Sequence, residues 1–244
     1  MAFLPAAGGR LGWARGAIGA LIGIAVAGVL TRLIAQSVAQ AGVFGPSLFG
    51  PSLFGTGVAG LPWLVAPLGA AAVLVFAVPA SPLAQPWPVI GGNMISAAVG
   101  LVAGHWIAEP WLAASLGVGC AIALMALARC LHPPGGACAL LCALGAGANG
   151  WGWSFLLMPL APNVLALAAS GWLYNRLTGH PWPHHPAPLP ALPRDTWAGT
   201  YDIADLDAVL ADWDEVLDID REDLDALFRA LERRVQARWE NARR

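Results

Sequence analysis

The chain has 244 residues, of which 57% are apolar and only 11% charged, where an average soluble domain is about 25% charged. All 13 basic residues are Arg, and the charges are unevenly placed: residues 1–190 carry five Arg and one acid, Glu109, whereas residues 191–244 carry eight Arg and fourteen acids. These figures exclude an ordinary soluble enzyme and predict two physical environments, a membrane part of net charge +4 and a soluble tail of net charge −6.

Arg10 and Arg15 come first, without the short apolar core and cleavage site of a signal peptide, so insertion is expected to begin directly with the first span. That span is the apolar run 16–40, long enough for a hydrocarbon core of ~30 Å, with Thr31 and Arg32 near its far end. Phe44-Gly45-Pro46-Ser47-Leu48 is then repeated at once as Phe49-Gly50-Pro51-Ser52-Leu53, whose Pro and Gly density predicts a loop or re-entrant backbone. Runs at 61–78 and 89–106 follow, divided by the uncharged turn 79–86. A fourth run, 111–131, is ended by His132-Pro133-Pro134. A short segment, 136–148, and a longer one, 153–177, complete the membrane part.

The two halves resemble each other. The first run reaches Arg32 through Thr-Arg-Leu, and the fourth reaches Arg129 through Ala-Arg-Cys-Leu. Each is followed by a short segment opened by a Pro-x-Gly-Ala step, at Pro67-Leu68-Gly69-Ala70 and at Pro134-Gly135-Gly136-Ala137. Each short segment is followed by one with an early Asn, Asn93 and Asn163. The offsets are 67 residues for the Gly-Ala pair and 70 for the Asn, but 97 for the Arg, which makes the Phe-Gly-Pro-Ser-Leu stretch an insertion. Three segments per unit reverse the second unit, the inverted-repeat plan of many secondary transporters. The alternative is six unrelated hydrophobic segments.

Proline suits the first turn of a helix and pushes its predecessor out of helical conformation, so helices should start near Pro67 and Pro134. Only 13 to 15 residues remain in each, about 20 Å of helix, too short to cross alone. Their N-termini would present unpaired N–H groups and partial positive charge, with Gly69, Ala70, Gly136 and Ala137 small enough for a ligand to reach the backbone. Arg32 and Arg129, expensive inside a membrane, strengthen an anion-site reading; the alternative is that both snorkel to the interface or cap loop carbonyls. His132 is expected either to titrate or bind substrate, or to cap the break. Cys120, Cys130, Cys138 and Cys142 read as small buried apolar residues, with a soft-metal site near His132 as the alternative.

The run His132-Pro133-Pro134-Gly135-Gly136-Ala137, with Ala66-Pro67-Leu68-Gly69-Ala70, the turn 79–86 and Gly91-Gly92-Asn93, resembles the HPP family of integral membrane proteins over most of residues 16–177. The resemblance implies a small transporter-like protein with four spanning helices, and plastid members of the family are linked to nitrite movement. A hydroxyl residue commonly follows each Gly-Ala in that family, whereas Ala71 and Cys138 stand here.

His180, His184 and His185 sit among prolines in a stiff linker, 180–194, rather than in a metal site. Beyond it, Ile203, Leu206, Val209, Leu210, Trp213 and Leu217, then Leu224, Leu227, Phe228, Leu231 and Val235, recur at helical spacing. They predict a two-helix hairpin over 195–244, with helices of about 16 to 19 residues and Asp220 as an N-cap. The run 218–223 lacks the Gly and Glu of a calcium loop.

The expectation is an all-α polytopic bundle over 1–179, with inverted repeats at about 16–106 and 111–177, two half-helices, and the tail hairpin. Arg10, Arg15 and Arg176 place both termini in the cytoplasm, in the plasma (inner) membrane of a prokaryote. The preferred function is a transporter or channel for a small inorganic anion such as nitrite, with Arg32, Pro67, Gly69, Ala70, Asn93, Arg129, His132, Pro133, Pro134, Gly135, Gly136, Ala137 and Asn163 as substrate-binding candidates. The competing function is a membrane anchor or sensor whose acidic tail recruits a partner. The expected partners are the anion, the lipid bilayer, a second copy and a cytoplasmic protein on the tail; no nucleic acid, cofactor or metal is expected. The spans hold no paired carboxylates, Ser/His/acid set or His-Glu metal motif for an intramembrane enzyme.

Overall fold

A computed structural model of the chain describes residues 12–40, 63–184, 201–213 and 219–242. Its regular elements are helical. α1 spans Gly12–Gln40, α2 Pro67–Ala77, α3 Asn93–Trp106, α4 Pro110–Leu127, α5 Pro133–Asn149 and α6 Ala161–Leu177. In the tail, α7 spans Ile203–Trp213 and α8 Arg221–Ala242. Among the described residues, four stretches are long and apolar enough to cross a membrane: Ala14–Ser37, Pro88–Trp106, Pro110–Leu127 and Leu156–Leu177. The duplicated Phe-Gly-Pro-Ser-Leu stretch lies outside the described residues.

The elements start where proline allows. Pro67, Pro110 and Pro133 each occupy the first turn of a helix, where the missing N–H costs nothing. α3 is preceded by a π-helical segment, Pro88–Gly92, an irregularity of the kind that gathers at functional sites, and α6 by a kinked stretch, Leu156–Leu160, in which Met158 is extended (φ −150°, ψ 118°).

Two boundaries differ from expectation. The fourth run ends at Leu127 rather than 131, because the chain closes there in a Schellman turn: Cys130 N–H donates to Met125 O at 2.9 Å and Arg129 N–H to Ala126 O at 3.1 Å. Arg129 holds the left-handed position of that turn, with φ +53°, where glycine is usual. The short helix of the second half starts at Pro133 rather than Pro134 and has 17 residues, about 25 Å. It is longer than the expected half-helix because it continues to Gly150, whose φ of 64° ends it.

The membrane helices pack as two trios that exchange their third members. α1 runs antiparallel to α2 and α6: Gly16 faces Ala77, Gly19 faces Phe76 and Tyr174, and Gly23 faces Leu167. α4 runs antiparallel to α3 and α5, with Gly117 against Ala103 and Ala143, and Met125 against Gly92 and Gly135. So α6, from the second half, completes the trio of α1 and α2, and α3, from the first half, completes that of α4 and α5.

Within each trio the short helix and the exchanged helix are parallel. α3 and α5 meet along two rows of small residues four apart, Gly92, Ser96, Gly100 and Gly104 against Gly135, Ala139, Ala143 and Gly147. A Cβ on Gly100 would lie 2.2 Å from Ala139 O, and one on Gly104 2.2 Å from Ala143 O. Backbones that close are the membrane's way of gaining dispersion contact where lipid removes the hydrophobic drive. α2 and α6 pair with larger groups, Val75 against Gly171 and Asn175. The core between the helices includes Leu68, Val75, Phe76, Leu101, Phe155, Leu160 and Leu167. Leu21, Val29, Leu33, Ile122, Leu165 and Leu173 are exposed, as a lipid-facing surface requires.

Residues 184–244 belong to a second compact unit. Among the described residues its helices span 11 and 22 residues; α8 is longer than the expected 16 to 19, and α7 is described only as far as Trp213. α7 starts in a reciprocal cap in which Asp202 Oδ1 accepts from Ala204 N–H and Asp205 Oδ2 accepts from Asp202 N–H. α8 is carried further by pairs such as Asp225 with Arg229, one turn apart. Arg221 donates to Asp207, which holds that carboxyl below the ordinary range. Residues 185–200 of the linker region and the connection 214–218, with Leu217, lie outside the described residues.

Candidate functional site

The two proline steps create two polar neighbourhoods. At the first, the chain enters α2 through Trp63–Ala66, and Leu68 and Gly69 N–H groups turn back onto Val65 and Ala66 carbonyls. Asn163, fully buried on α6, holds this approach. Its Oδ1 accepts from Val65 N–H at 3.1 Å, and its Nδ2 donates to Thr31 Oγ1 at 2.6 Å and to Trp63 O at 2.9 Å. In an apolar surround each of those groups would otherwise be orphaned.

At the second, His132 caps α5 in extended conformation, φ −142° and ψ 107°. Gly135 N–H returns to His132 O at 2.8 Å. Pro133 and Pro134 have no N–H, so this end presents fewer free donors than an ordinary helix N-terminus. The ring of His132 has no exposed surface; Nδ1 lies 2.8 Å from Leu83 O, and Nε2 has no partner. The Gly92–Asn93 step packs on it so closely that a Cβ on Gly92 would lie 2.6 Å from His132 Cβ and 2.8 Å from Cys130 O. Asn93 Nδ2 donates to Val89 O within the π-helical segment, and Ser96 Oγ to Met125 Sδ at 3.3 Å.

The two neighbourhoods face opposite ways. Leu83 O receives His132 at the start of α5, while the next carbonyl, Ala84 O, accepts from Trp182 Nε1 just beyond the end of α6. α5 therefore begins at the level where α6 ends, and the two trios run in opposite senses. Each short helix is approached by an Asn-bearing segment of the other half, Asn163 at α2 and Gly92–Asn93 at α5.

The structure thus brings the approach to Pro67, at Trp63 and Val65, together with Asn163, and His132 and Gly135 together with Gly92, next to Asn93. The two groups share no neighbour in the contacts described above. Gly69, Ala70 and Ala137 are exposed and Gly136 is half-buried; a Cβ on Gly69 would meet nothing within 4 Å, and one on Gly136 only Val118 at 4.0 Å. Gly135 is packed instead, 2.8 Å from Met125 Sδ and from Ser96 Oγ by the same measure. Arg32 lies exposed one residue beyond the buried Thr31, and Arg129 is exposed in the turn after α4. An apolar cavity of about 500 Å³ between α3 and α4, lined by Val102, Trp106, Leu116 and Cys120 among others, touches none of the candidates.

Several participants carried weak sequence signals. Arg15 reads as an orientation charge, yet its guanidinium donates to Phe76 O at 2.7 Å, Asn175 Oδ1 at 2.9 Å and Thr178 Oγ1 at 3.3 Å, a cation set against the carbonyl ends of α2 and α6. Thr31, Leu83, Ser96 and Met125 have no motif that marks them. Cys138 and Cys142 are buried on one face of α5, and among the described residues no group of three His, Cys, Asp or Glu is placed to hold a metal. His180 Nδ1 lies 2.9 Å from Thr178 O, His184 Nε2 lies 3.0 Å from Asp223 Oδ1, and His185 is outside the described residues.

Two transmembrane proteins of Dictyostelium discoideum are similar to this chain. One is 37% identical over 118 residues, 46% of this chain and 41% of the relative; the other is 34% identical over 117 residues, 46% and 38% respectively. The chain thus matches well under half the length of these curated relatives. No solved structure matches. The family described as HPP, transmembrane region, matches residues 5–183, which takes in both proline steps, the two asparagines and all six membrane helices. On that extent of match the chain belongs to the HPP transmembrane family.

Proposed function

We propose that this membrane protein transports a small inorganic anion such as nitrite, with formate or another small monoanion as close substitutes. The observation that carries the proposal is the pairing of a proline-opened short helix from one half with a long helix from the other half whose start is irregular, once in each trio and in opposite senses. This is the arrangement expected of inverted repeats that work by alternating access. The anion is received at the N-ends of α2 and α5, which open at opposite ends of the bundle and where the helix dipoles are positive. Arg32 and Arg129 lend positive potential, Gly69, Ala70, Gly136 and Ala137 leave room at the backbone, and Asn93 and Asn163 hold the segments that must move. Both termini are assigned to the cytoplasmic side of a prokaryotic plasma membrane.

The test is flux into proteoliposomes. Nitrite and formate should enter, and potassium or sodium should not. Gly136→Val, whose Cβ would meet only Val118 at 4.0 Å, should stay folded and lose flux at least tenfold; full flux in that variant would remove the helix end from the mechanism. A second reading, an anchor that recruits a partner, is favoured by exposed Val209, Leu227, Leu231 and Trp239 on the tail. No anion flux in the wild type, with a protein captured on those residues, would establish it in place of transport. Reporter fusions after Arg15 and after Gly179 should both report cytoplasm.

A further inference from the structure

The two nitrogens of His132 are in different circumstances. A carbonyl oxygen only accepts, so the 2.8 Å approach of Leu83 O to Nδ1 places the ring hydrogen on Nδ1. In the neutral ring Nε2 is then a bare acceptor, buried and without a partner. The segments that adjoin His132, by chain or by contact with Leu83, Gly92 and their neighbours, are the turn 79–87, the stretch 88–96, the end of α4 with its turn, 121–131, and the start of α5, 133–142. Their charged and titratable groups are Arg129, which is exposed, and the thiols of Cys130, Cys138 and Cys142; none of these segments contains a carboxylate.

That inventory has a thermodynamic result. A proton placed alone on Nε2 makes a buried cation with no counter-ion, which is costly. An anion placed alone beside Nε2 faces a lone pair. Together they form a charge-assisted N–H to anion hydrogen bond and the net charge of the site is unchanged. We propose that His132 Nε2 binds the transported anion together with one proton, so that the protein cotransports a proton and a monoanion in 1:1 ratio. The proposal rests on the transport reading and adds its coupling ion. The proton sits on Nε2 while the anion is held and leaves with it; the Nδ1–H bond to Leu83 is untouched, and no bond within the anion breaks. By linkage, anion affinity rises as pH falls, by about tenfold per pH unit while the empty site is neutral, and the factor by which a bound proton raises anion affinity is also the factor by which a bound anion raises proton affinity.

The experiment uses proteoliposomes of the full chain with a trapped pH dye, the membrane potential clamped by potassium and valinomycin, and protein-free liposomes to subtract passive entry of nitrous acid. An inward nitrite gradient should acidify the lumen by one proton per nitrite, at a rate indifferent to the clamped potential and rising as external pH falls. His132→Gln can still donate an amide N–H to Leu83 O but cannot take up a proton. It should lose the acidification, and whatever nitrite flux remains should be independent of pH. Nitrogen NMR of histidine-labelled protein should show the Nδ1–H tautomer for the His132 resonance, identified by its loss in the Gln variant. Nitrite flux that carries net charge without acidification overturns the coupling and leaves transport standing, as does acidification by the Gln variant equal to wild type. No nitrite flux in the wild type overturns the transport reading itself.

Discussion

Replacing Gly100 by Ala adds one methyl group at the tightest point between α3 and α5. The new Cβ would stand 2.2 Å from Ala139 O and 2.9 Å from the Ala139 carbonyl carbon and Cα, and all three are backbone atoms that no rotamer change can clear. Ordinary contact begins near 3.4 Å, so the helices must part by about 1 Å. A gap of that size forfeits up to about half of each affected dispersion contact. The affected row runs from Gly92 to Gly104, about 18 Å of helix. Overpacking of this kind costs about 1–3 kcal/mol, which corresponds to a Tm lower by about 2–12 °C for a chain of this size. Thermal unfolding in detergent, followed by the fluorescence of the 12 Trp residues, measures it. Gly119→Ala on α4, where a Cβ meets nothing within 4 Å, is the control and should hold its Tm. Equal melting of the two variants would refute the close approach of α3 and α5.

Asn163→Leu strands the Val65 N–H, the Trp63 carbonyl and the Thr31 hydroxyl in an apolar setting, at about 1–3 kcal/mol per orphaned group; a melting temperature equal to wild type would mean that α2 is held some other way. Arg129→Gly relieves a left-handed residue and should stabilise by about 1 kcal/mol, read as a higher Tm, while loss of anion flux in the same variant would show that the guanidinium serves the substrate. Arg15→Gln removes the fork that joins α1 to Phe76 O and Asn175, so amide exchange near 76–78 and 175–178 should accelerate. Lys in its place should not restore protection, because an ammonium lacks the planar fork. Truncation after Pro193 should leave an inserted protein that still moves anion, and loss of flux with normal insertion would assign the tail a direct role.

The positions of the helices were legible because uninterrupted apolar runs and prolines leave little choice in a membrane. The ends were less so. A run that stays apolar through Leu131 gives no sign of stopping at Leu127, since the turn there uses Arg129 where the rule anticipates glycine. The irregular starts of α3 and α6 leave no mark in the sequence, because a π turn or a kink changes backbone hydrogen bonding without changing hydropathy. Asn163 is marked in the sequence only by its correspondence with Asn93. Arg15 carries no sign of this role in the sequence, because one arginine beside a span reads as an orientation signal and its three acceptors lie 61 to 163 residues away. The rows at 92, 96, 100, 104 and at 135, 139, 143, 147 were present in the sequence, but glycine and alanine are so abundant here that their register gains meaning only when the facing helix is known.

The exchange of third helices between the trios sets a timetable for the ribosome. α3 meets α4 and α5 within a few tens of residues of further synthesis, whereas α1 and α2 wait for α6. At about 5–20 residues per second the wait from Arg15 to Asn175 is roughly 8–30 s, during which Arg15, Thr31 and the Val65 N–H have yet to receive their final partners. The trio that begins first is thus closed last. Cutting the chain at Glu109 would give two fragments that each hold a helix belonging to the other, so neither is a self-sufficient folding unit and the two must be made in the same membrane to assemble.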